Sequence, residues 1–360
     1  MADKIKLFLI INRLVLGGNT ADAVSLAHRL SGKYNITIVY GEKETDEIEV
    51  SSFIQNYPEI TFIKIPSLHR AIHPFYDAKA YRRLLLLLKK HRPQIVHTHG
   101  FKSGLLGRWA ARKTRVPVII HTYHGHLFHS YYNRFVSSLI CLIEKRLATF
   151  TTGIIAISPQ QAFELTEVYR IAPASKISTI YLGIDKNDYP LSGNGLRKQY
   201  NIPDDVIIIA IIGRLVPIKN HSLFIKIAEQ IVKEETKVCF FIIGDGYKKR
   251  HIQKGLSQRQ LAWQEGTEQN KGSAIYFTSW ITNIASSLND IDIVLLTSLN
   301  EGTPVSLLEA QLFGKPVVTT NTGGVRDSLL ANETGFLIPN FCAEEAVKQL
   351  KQLIDDKALR

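Results

Sequence analysis

The stretch NEGTPVSLLEAQLFGKPVV, Asn300 to Val318, places two glutamates eight positions apart, Glu301 in a loop and Glu309 partway along a helical pattern. An apolar run, Ile291 to Ser298, leads straight into it. Thr303 suits the N-cap of the helix, and Pro304 suits the first helical position, where its missing N–H costs nothing. The amides of Val305 and Ser306 are then expected to point out of the carboxyl end of a buried strand. A helix mouth of that kind suits an anion, phosphate above all. Glu309 stands about 8 Å up the axis at ~1.5 Å per residue, and its side chain leans back toward the N-terminus. One carboxylate can accept hydrogen bonds from a sugar and the other from a ribose, with a diphosphate between them. Alone, the spacing would describe two solvated glutamates on a capped helix. Gly302-Thr303-Pro304 and the strand before them favour a site.

The rest of the chain continues this rhythm of strand and helix. Apolar runs at Ile5–Ile11, Ile36–Tyr40, Phe62–Ile65, Ile95–His99, Val118–Thr122 and Ile154–Ser158 alternate with helix-length patterns such as Ala21–Leu30, Tyr76–His91 and Ser103–Lys113. The pattern restarts at Val206–Ile212 and continues through Val238–Ile243, Ala274–Phe277, Ile291–Leu296 and Val317–Thr320. Strands without polar alternation, separated by helices, form parallel sheets covered on both faces. The expected class is therefore α/β, with two doubly wound, Rossmann-like domains facing across a cleft and ligand at the strands' carboxyl ends. The first domain is read as residues 1–185 and the second as 206–360. Residues 186–205, with Pro190, Ser192, Gly193, Asn194, Gly195 and Pro203, have a linker's composition.

Composition narrows the setting. The 360 residues, 45% hydrophobic and 21% charged, suit two globular domains. The three cysteines, Cys141, Cys239 and Cys342, lie far apart and form no disulfide framework, which favours a reducing cytoplasm. No secretory signal is read at the N-terminus, and the longest candidate membrane run, Phe135 to Ser158, is broken by Glu144, Lys145 and Arg146. Residues 1–190 carry 25 Lys and Arg against 14 Asp and Glu, whereas residues 191–360 carry 19 against 18. One basic half beside a neutral half points to an anionic partner for the first. The helix pattern Lys79 to Arg92 brackets five leucines with cations. It reads as a core helix or, alternatively, as a helix held at the anionic inner face of a membrane. Nucleic acid is not expected, since no recognised fold or interleaved aromatic platform accompanies the charge.

Further motifs sit at strand ends. Gly213-Arg214-Leu-Val-Pro-Ile-Lys219 offers two cations, Arg214 and Lys219, that can neutralise a diphosphate leaving group. Gly17 and Gly18, after the first strand, permit close backbone approach to a ligand. No GxGxxG fingerprint is present, and Gly244-Asp-Gly246 lacks the third glycine, which argues against a nicotinamide enzyme. His97, His99, His121, His124 and His126 cluster at two strand ends. Zinc is the weaker reading of them, because no Cys or Glu ligand accompanies them and HExxH is absent. A histidine donating or accepting at a ligand is the stronger one.

These residues resemble the family 4 glycosyltransferases, bacterial retaining enzymes of the GT-B fold, over almost the whole chain. The resemblance rests on LGGNTADAVSLAHRL, IVHTHGFKSGLLGRWAAR, VPVIIHTYHGH, IIGRLVPIKNH, FIIGDG and above all NEGTPVSLLEAQLFGKPVVTTNTGGVRD followed by GFLIP. It implies a nucleotide-sugar donor, a UDP-sugar, in the second domain and a lipid-linked or polysaccharide acceptor in the first. It implies that Glu301 contacts the donor sugar, Glu309 the ribose, Arg214 and Lys219 the diphosphate, and His124 the sugar. Gly17 and Gly18 form the loop opposite, and Gly302, Thr303, Pro304 and Val305 line the phosphate and sugar. It implies chemistry without metal or cofactor, the nucleotide sugar being a substrate. The expected setting is cytoplasmic, peripheral on the cell membrane. Three features differ from the family pattern: Leu182-Gly183 for Asn-Gly, Ser279 for a glycine before Trp280, near the base contacts expected at Asn283 and Ile284, and an end at Arg360 without the usual final crossover helix. A sugar-nucleotide epimerase or hydrolase, or a nucleotide-sugar-binding protein of impaired activity, stands as the alternative.

Overall fold

The structure is a computed structural model that describes residues 4–45, 47–125, 128, 133–267 and 274–360. The chain divides into two compact units, at Gly183 and Ile184. In the first, β1 (Ile5–Arg13), α1 (Gly18–Leu30), β2 (Tyr34–Gly41), α2 (Ser52–Asn56), β3 (Thr61–Ile65) and α3 (Pro74–His91) come first. Then follow β4 (Ile95–His99), α4 (Phe101–Lys113), β5 (Val118–Tyr123), α5 (Arg134–Ala148), β6 (Gly153–Ala156), α6 (Pro159–Phe163) and β7 (Ile177–Thr179). Its seven strands are ordered β3-β2-β1-β4-β5-β6-β7, every pairing parallel.

The second unit runs α7 (Leu196–Tyr200), β8 (Ile207–Ile212), α8 (His221–Glu234), β9 (Val238–Ile243), α9 (Lys249–Gln258), β10 (Trp263–Glu265) and β11 (Ile275–Ser279). It continues with α10 (Ala285–Asp290), β12 (Ile293–Leu296), α11 (Val305–Leu312), β13 (Val317–Thr320), β14 (Gly335–Ile338) and α12 (Ala343–Asp355). These strands are ordered β10-β11-β9-β8-β12-β13-β14, again all parallel. Two doubly wound α/β units of this kind are the GT-B plan.

Sequence explains both cores. All six residues of β9 are buried, so Phe240 and Ile242 pack on one face and Cys239, Phe241 and Ile243 on the other. Truncating such a phenylalanine to alanine costs about 3–5 kcal/mol. The helix α8 buries Phe224, Ile227, Ala228 and Ile231, the 3–4 spacing of one stripe, against this sheet. In α3 the leucine run does what a core helix does: Leu84 and Leu88 are buried, Leu85 and Leu87 pack beside them, and Leu86 faces solvent.

Several boundaries differ from expectation for identifiable reasons. The strand expected to reach Ser158 stops at Ala156, because the Ser158 hydroxyl accepts from the Gln161 amide and caps α6 instead. The stretch 186–205, linker-like in composition, is packed into the second unit, where Leu196, Tyr200 and Ile202 are buried in its core. The short strands β7, β10 and β14 lie at or next to sheet edges, where apolar runs are short. Among the described residues no helix is long and apolar enough to cross a membrane.

Candidate functional site

Ligands of doubly wound sheets gather at the carboxyl ends of the strands, where the strand order reverses. In the second unit the order reverses between β8 and β12. Arg214 and Lys219 follow β8 and Glu301 follows β12, so the two loops that frame this crevice carry the predicted cations and carboxylate. The Lys219 Nζ lies 2.6 Å from the Glu301 Oε1, both side chains mostly buried. The same oxygen accepts from the Ser298 hydroxyl at 2.5 Å. Hydrogen bonds to the main chain hold the two loops together. The Thr297 hydroxyl donates to the carbonyls of Lys219 and Asn220 at 3.0 and 3.2 Å, and the Leu299 amide donates to the Ile218 carbonyl at 2.7 Å. Arg214 is half-buried on the same loop.

The helix mouth departs from expectation in one respect. The helix α11 begins at Val305, and Pro304, extended with ψ 109°, is its N-cap rather than its first residue. Thr303 therefore stands one position outside the cap. Proline has no side-chain acceptor, so the N-cap residue itself makes no side-chain cap. The N-cap residue therefore offers no oxygen of its own to the first amides of the helix, whose positive end suits an anion. Gly302 and Thr303 lie half-buried between Glu301 and this mouth.

Glu309, one and a half turns into α11, accepts from the Tyr189 hydroxyl at 2.9 Å. Its surface is only partly covered, yet protein crowds the carboxyl, and burial pushes its pKa up to about 7 against the smaller opposing pull of Tyr189. Burial and the Glu309 charge together push the Tyr189 hydroxyl well above its ordinary value. Tyr189 comes from the stretch with a linker's composition, and nothing in the sequence signalled it.

Glycines hold the loops against one another. A Cβ at Gly323 (φ +52°) would stand 2.0 Å from the Glu301 carbonyl oxygen, and the Gly324 amide donates to that same oxygen at 3.0 Å. At Gly244 (φ +134°) a Cβ would stand 2.0 Å from the Gly213 carbonyl oxygen. Gly246 meets the Leu215 carbonyl in the same way, at 2.6 Å. Ser279, where the family pattern has glycine, adopts φ +58°, which accounts for that preference. Its hydroxyl donates to Asp245 at 2.8 Å, and this bond offsets part of the conformational cost. Asn283 is committed to structure: its amide donates to Pro190 and Ser192 and its oxygen accepts from Ala285.

In the first unit the strand order reverses between β1 and β4. Gly17 (φ +153°) is the N-cap of α1 and Gly18 its first residue, with nothing within 4 Å of a Cβ at Gly17. His97 and His99 alternate along β4 onto one side, their rings 4.2 Å apart. The His97 Nε2 pairs with the Thr122 hydroxyl at 2.7 Å, and the Thr98 hydroxyl with the His121 Nδ1 at 2.8 Å. His124, just beyond β5, pairs its Nε2 with the His99 Nδ1 at 2.8 Å and lies 3.8 Å from the Asp22 carboxylate. Burial drives the pKa of His97 down to about 3 and that of His124 to about 4, and holds His99 and His121 well below the ordinary range. The imidazoles are therefore neutral at pH 7. Among the described residues the buried His124 Nδ1 has no partner, so the ring keeps one polar atom for a ligand. His126 lies outside the described residues.

Asp22 is the residue that sequence reading missed here. It brings a carboxylate to two histidines that were weighed as metal ligands without one, and ligand atoms of Asp22, His99 and His124 lie within 4.8 Å of one another. Burial raises the Asp22 pKa to about 6. The two histidine nitrogens stand at hydrogen-bond distance, closer than two ligands of one zinc ion bound at ~2.0–2.1 Å in a tetrahedron.

Comparison with known proteins agrees with this fold. The family described as Glycosyltransferase Family 4 matches residues 17–188, and that described as Glycosyl transferases group 1 matches residues 194–360. The chain is 32% identical to the Escherichia coli UDP-Gal:alpha-D-GlcNAc-diphosphoundecaprenol alpha-1,3-galactosyltransferase, over 82% of this chain and 75% of that protein. It is 26% identical to the capsular polysaccharide biosynthesis glycosyltransferase CapM of Staphylococcus aureus, over 81% and 76%. Among solved structures, Anabaena HepE in complex with UDP and glucose superposes with a TM-score of 0.81 at 16% identity, over 99% of this chain and 91% of that one. WaaG, a glycosyltransferase involved in lipopolysaccharide biosynthesis, superposes with a TM-score of 0.74 at 15% identity, over 99% and 92%.

Proposed function

Since this chain belongs to the family 4 glycosyltransferases, we propose that it moves a sugar, with retention, from a UDP-sugar to a lipid-linked or polysaccharide acceptor during cell-surface glycan synthesis. The observation that carries the reading is the Lys219–Glu301 pair at the point where the second sheet reverses. A ligand that presents a diphosphate beside a ring of hydroxyls suits both partners at once. The phosphates take the cation and the hydroxyls donate to the carboxylate. Glu309 then takes the ribose hydroxyls, in place of or beside Tyr189. The relatives' names support the same classes of substrate, since one is named for a UDP-sugar and a diphosphoundecaprenol-linked acceptor and another for capsular polysaccharide.

Bond cleavage leaves charge on the diphosphate and a deficit on the sugar. Lys219, Arg214 and the amides at the start of α11 are fixed donors for the growing negative charge, so these residues supply the neutralisation that a metal ion supplies elsewhere. The departing oxygen and the attacking acceptor share one face of the sugar, and the transition state resembles an oxocarbenium ion. Glu301 orients the sugar through its hydroxyls. The neutral His124 offers a hydrogen bond without adding a charge that would oppose the cationic sugar. The first unit, with Gly17, Gly18 and the histidine cluster, is the acceptor side of the reaction. Its basic half fits a position at an anionic membrane surface in the cytoplasm.

Transfer from radiolabelled UDP-sugars to a membrane extract tests the reading, with a panel of donors first sorted by thermal stabilisation of the protein. The expected result is a labelled lipid or polysaccharide product that Glu301→Ala abolishes. Quantitative epimerisation or hydrolysis of the donor at equal rate without acceptor would overturn it.

A further inference from the structure

The helices α3, α4 and α5 of the first unit carry five, four and three Lys or Arg in turn, against two carboxylates, Asp77 and Glu144. Both carboxylates are spent internally. Asp77 pairs with Lys102 at 2.5 Å, and the buried Glu144 takes both its oxygens to the Arg108 guanidinium at 2.7 and 2.8 Å, with the Tyr123 hydroxyl as a third partner. What these helices present to solvent is therefore of one sign.

The outer side of α5 is also apolar. Phe135, Leu139 and Leu142 are 80%, 50% and 64% exposed, at the i, i+4, i+7 spacing of a single stripe. Arg134 stands before this stripe and Lys145 and Arg146 after it, all exposed. On α4, which Arg108 ties to α5, Trp109 is 51% exposed and is followed by the exposed Arg112 and Lys113. A row of large apolar side chains on a helix of a water-soluble unit, bracketed by cations, marks an interaction surface. A second copy of this chain would bring the same positive charge to the contact, and like charges face to face oppose association. An anionic lipid surface brings the opposite charge together with an apolar phase.

We propose that the outer face of α5, with Trp109 of α4, is the element that inserts into an anionic bilayer, the surrounding lysines and arginines binding its headgroups. The leucine run of α3, which the sequence singles out, is instead mainly a core element, although Phe75 and Tyr76 in the first turn of that helix are also exposed. A stripe of this kind lies in the plane of the interface with its apolar side about 5–10 Å deep. The proposal deepens the reading of a lipid-linked acceptor, and it is tested without turnover.

Flotation of the whole chain with vesicles of phosphatidylglycerol and phosphatidylcholine, or of phosphatidylcholine alone, reads it directly. Binding is expected for the anionic vesicles only and is expected to weaken from about 50 to about 500 mM salt. The triple substitution Phe135→Ser, Leu139→Ser, Leu142→Ser is expected to lower vesicle affinity at least about tenfold, while Leu86→Ser on α3 leaves it within about twofold. Trp109 emission should shift to the blue on vesicles, and Trp109→Phe should remove that shift. Should the triple variant misfold, Lys145→Glu with Arg146→Glu is expected to remove the salt-sensitive binding. Vesicle binding that survives the triple substitution, binding that depends on Leu86, or no binding at all overturns the proposal. So does a dimer in gel filtration that the triple substitution disperses, which would give the stripe to a second copy. Thermal stabilisation by UDP-sugars, measured without lipid, separates these failures from failure of the functional reading.

Discussion

The two units share a sheet plan, seven parallel strands with the order reversing beside the first, yet the first unit adds to its strand-end ion pairs, such as Arg13 with Glu47, a histidine cluster that the second lacks among the described residues. The second unit assembles ionised groups there: Lys219 meets Glu301, and Asp245 meets Lys249 at 3.1 Å. These side chains stay partly exposed, so water shares the cost of holding charge. The first unit gathers His97, His99, His121 and His124, and buries them so well that they stay neutral. The difference teaches that one fold supplies either a charged or a neutral polar surface, according to which residue types its strand ends carry. A diphosphate donor calls for the first kind.

The largest expected effect falls on the charged side. Glu301→Ala and Lys219→Ala should each lower kcat/KM by about 100- to 1000-fold, the range for losing a fixed group that meets transition-state charge. Circular dichroism should show both variants folded. Near-normal turnover in both would end the contrast between the units. Next comes the glycine under Glu301. Gly323→Ala sets a Cβ against a backbone oxygen at positive φ, and a loss of about 1–3 kcal/mol in unfolding free energy is expected. Denaturant melts check it, and an unchanged midpoint would mean that the loop yields freely.

A smaller effect sharpens the comparison within the second unit. Because the folded pKa of Glu309 is about 7, its carboxylate is fully formed only above that pH. UDP-sugar affinity should therefore fall as pH drops from 8 to 6, and Glu309→Gln should flatten that dependence while weakening binding about tenfold. Calorimetry across this range reads both. Parallel pH slopes for the two proteins would remove Glu309 from the donor site.

The smallest expected effect concerns stability in acid. A histidine whose folded pKa lies below the ordinary ~6.5 contributes stability that is whole above 6.5 and is lost as pH falls toward the folded value. Among the described residues the first unit holds four such histidines, His97, His99, His121 and His124. Asp22, with its pKa raised to about 6, works in the other direction because its contribution is lost as pH rises. In the second unit His221, lowered to about 4 by burial, is set against Glu309, raised to about 7. Hydrogen exchange between pH 7 and pH 5, corrected for intrinsic rates, should show the first unit loosening more. Equal loosening would put the histidines' neutrality in question.

Much of the fold was legible because buried parallel strands are written as unbroken apolar runs. Ile95–His99, Val238–Ile243 and Val317–Thr320 begin and end where the sequence places them. The edge strand Trp263–Glu265 escaped notice because a strand paired on one side needs few apolar residues. The strand-end residues Lys219, Glu301 and His124 were legible from position. Other partners were not, since Asp22 lies far in sequence from His124, and Tyr189 from Glu309. Periodicity reports which face a residue takes, and it carries no information on which distant side chain arrives opposite. The helix start at Val305 shows the same limit. Threonine and proline both fit a helix start, and backbone torsion at Pro304 decides between them.

The glycines at 244, 246 and 323 each lie where one loop's backbone rests on the carbonyl oxygen of another. Loops are ordinarily the part of a protein free to lengthen and drift. Here four of them, after β8, β9, β12 and β13, are linked main chain to main chain, so an insertion in one would displace its neighbours. Divergence toward a new donor sugar is thereby confined to side chains that project from a fixed frame, and the quickest route to altered specificity by directed evolution is substitution at positions such as Gly302 and Thr303 rather than loop grafting.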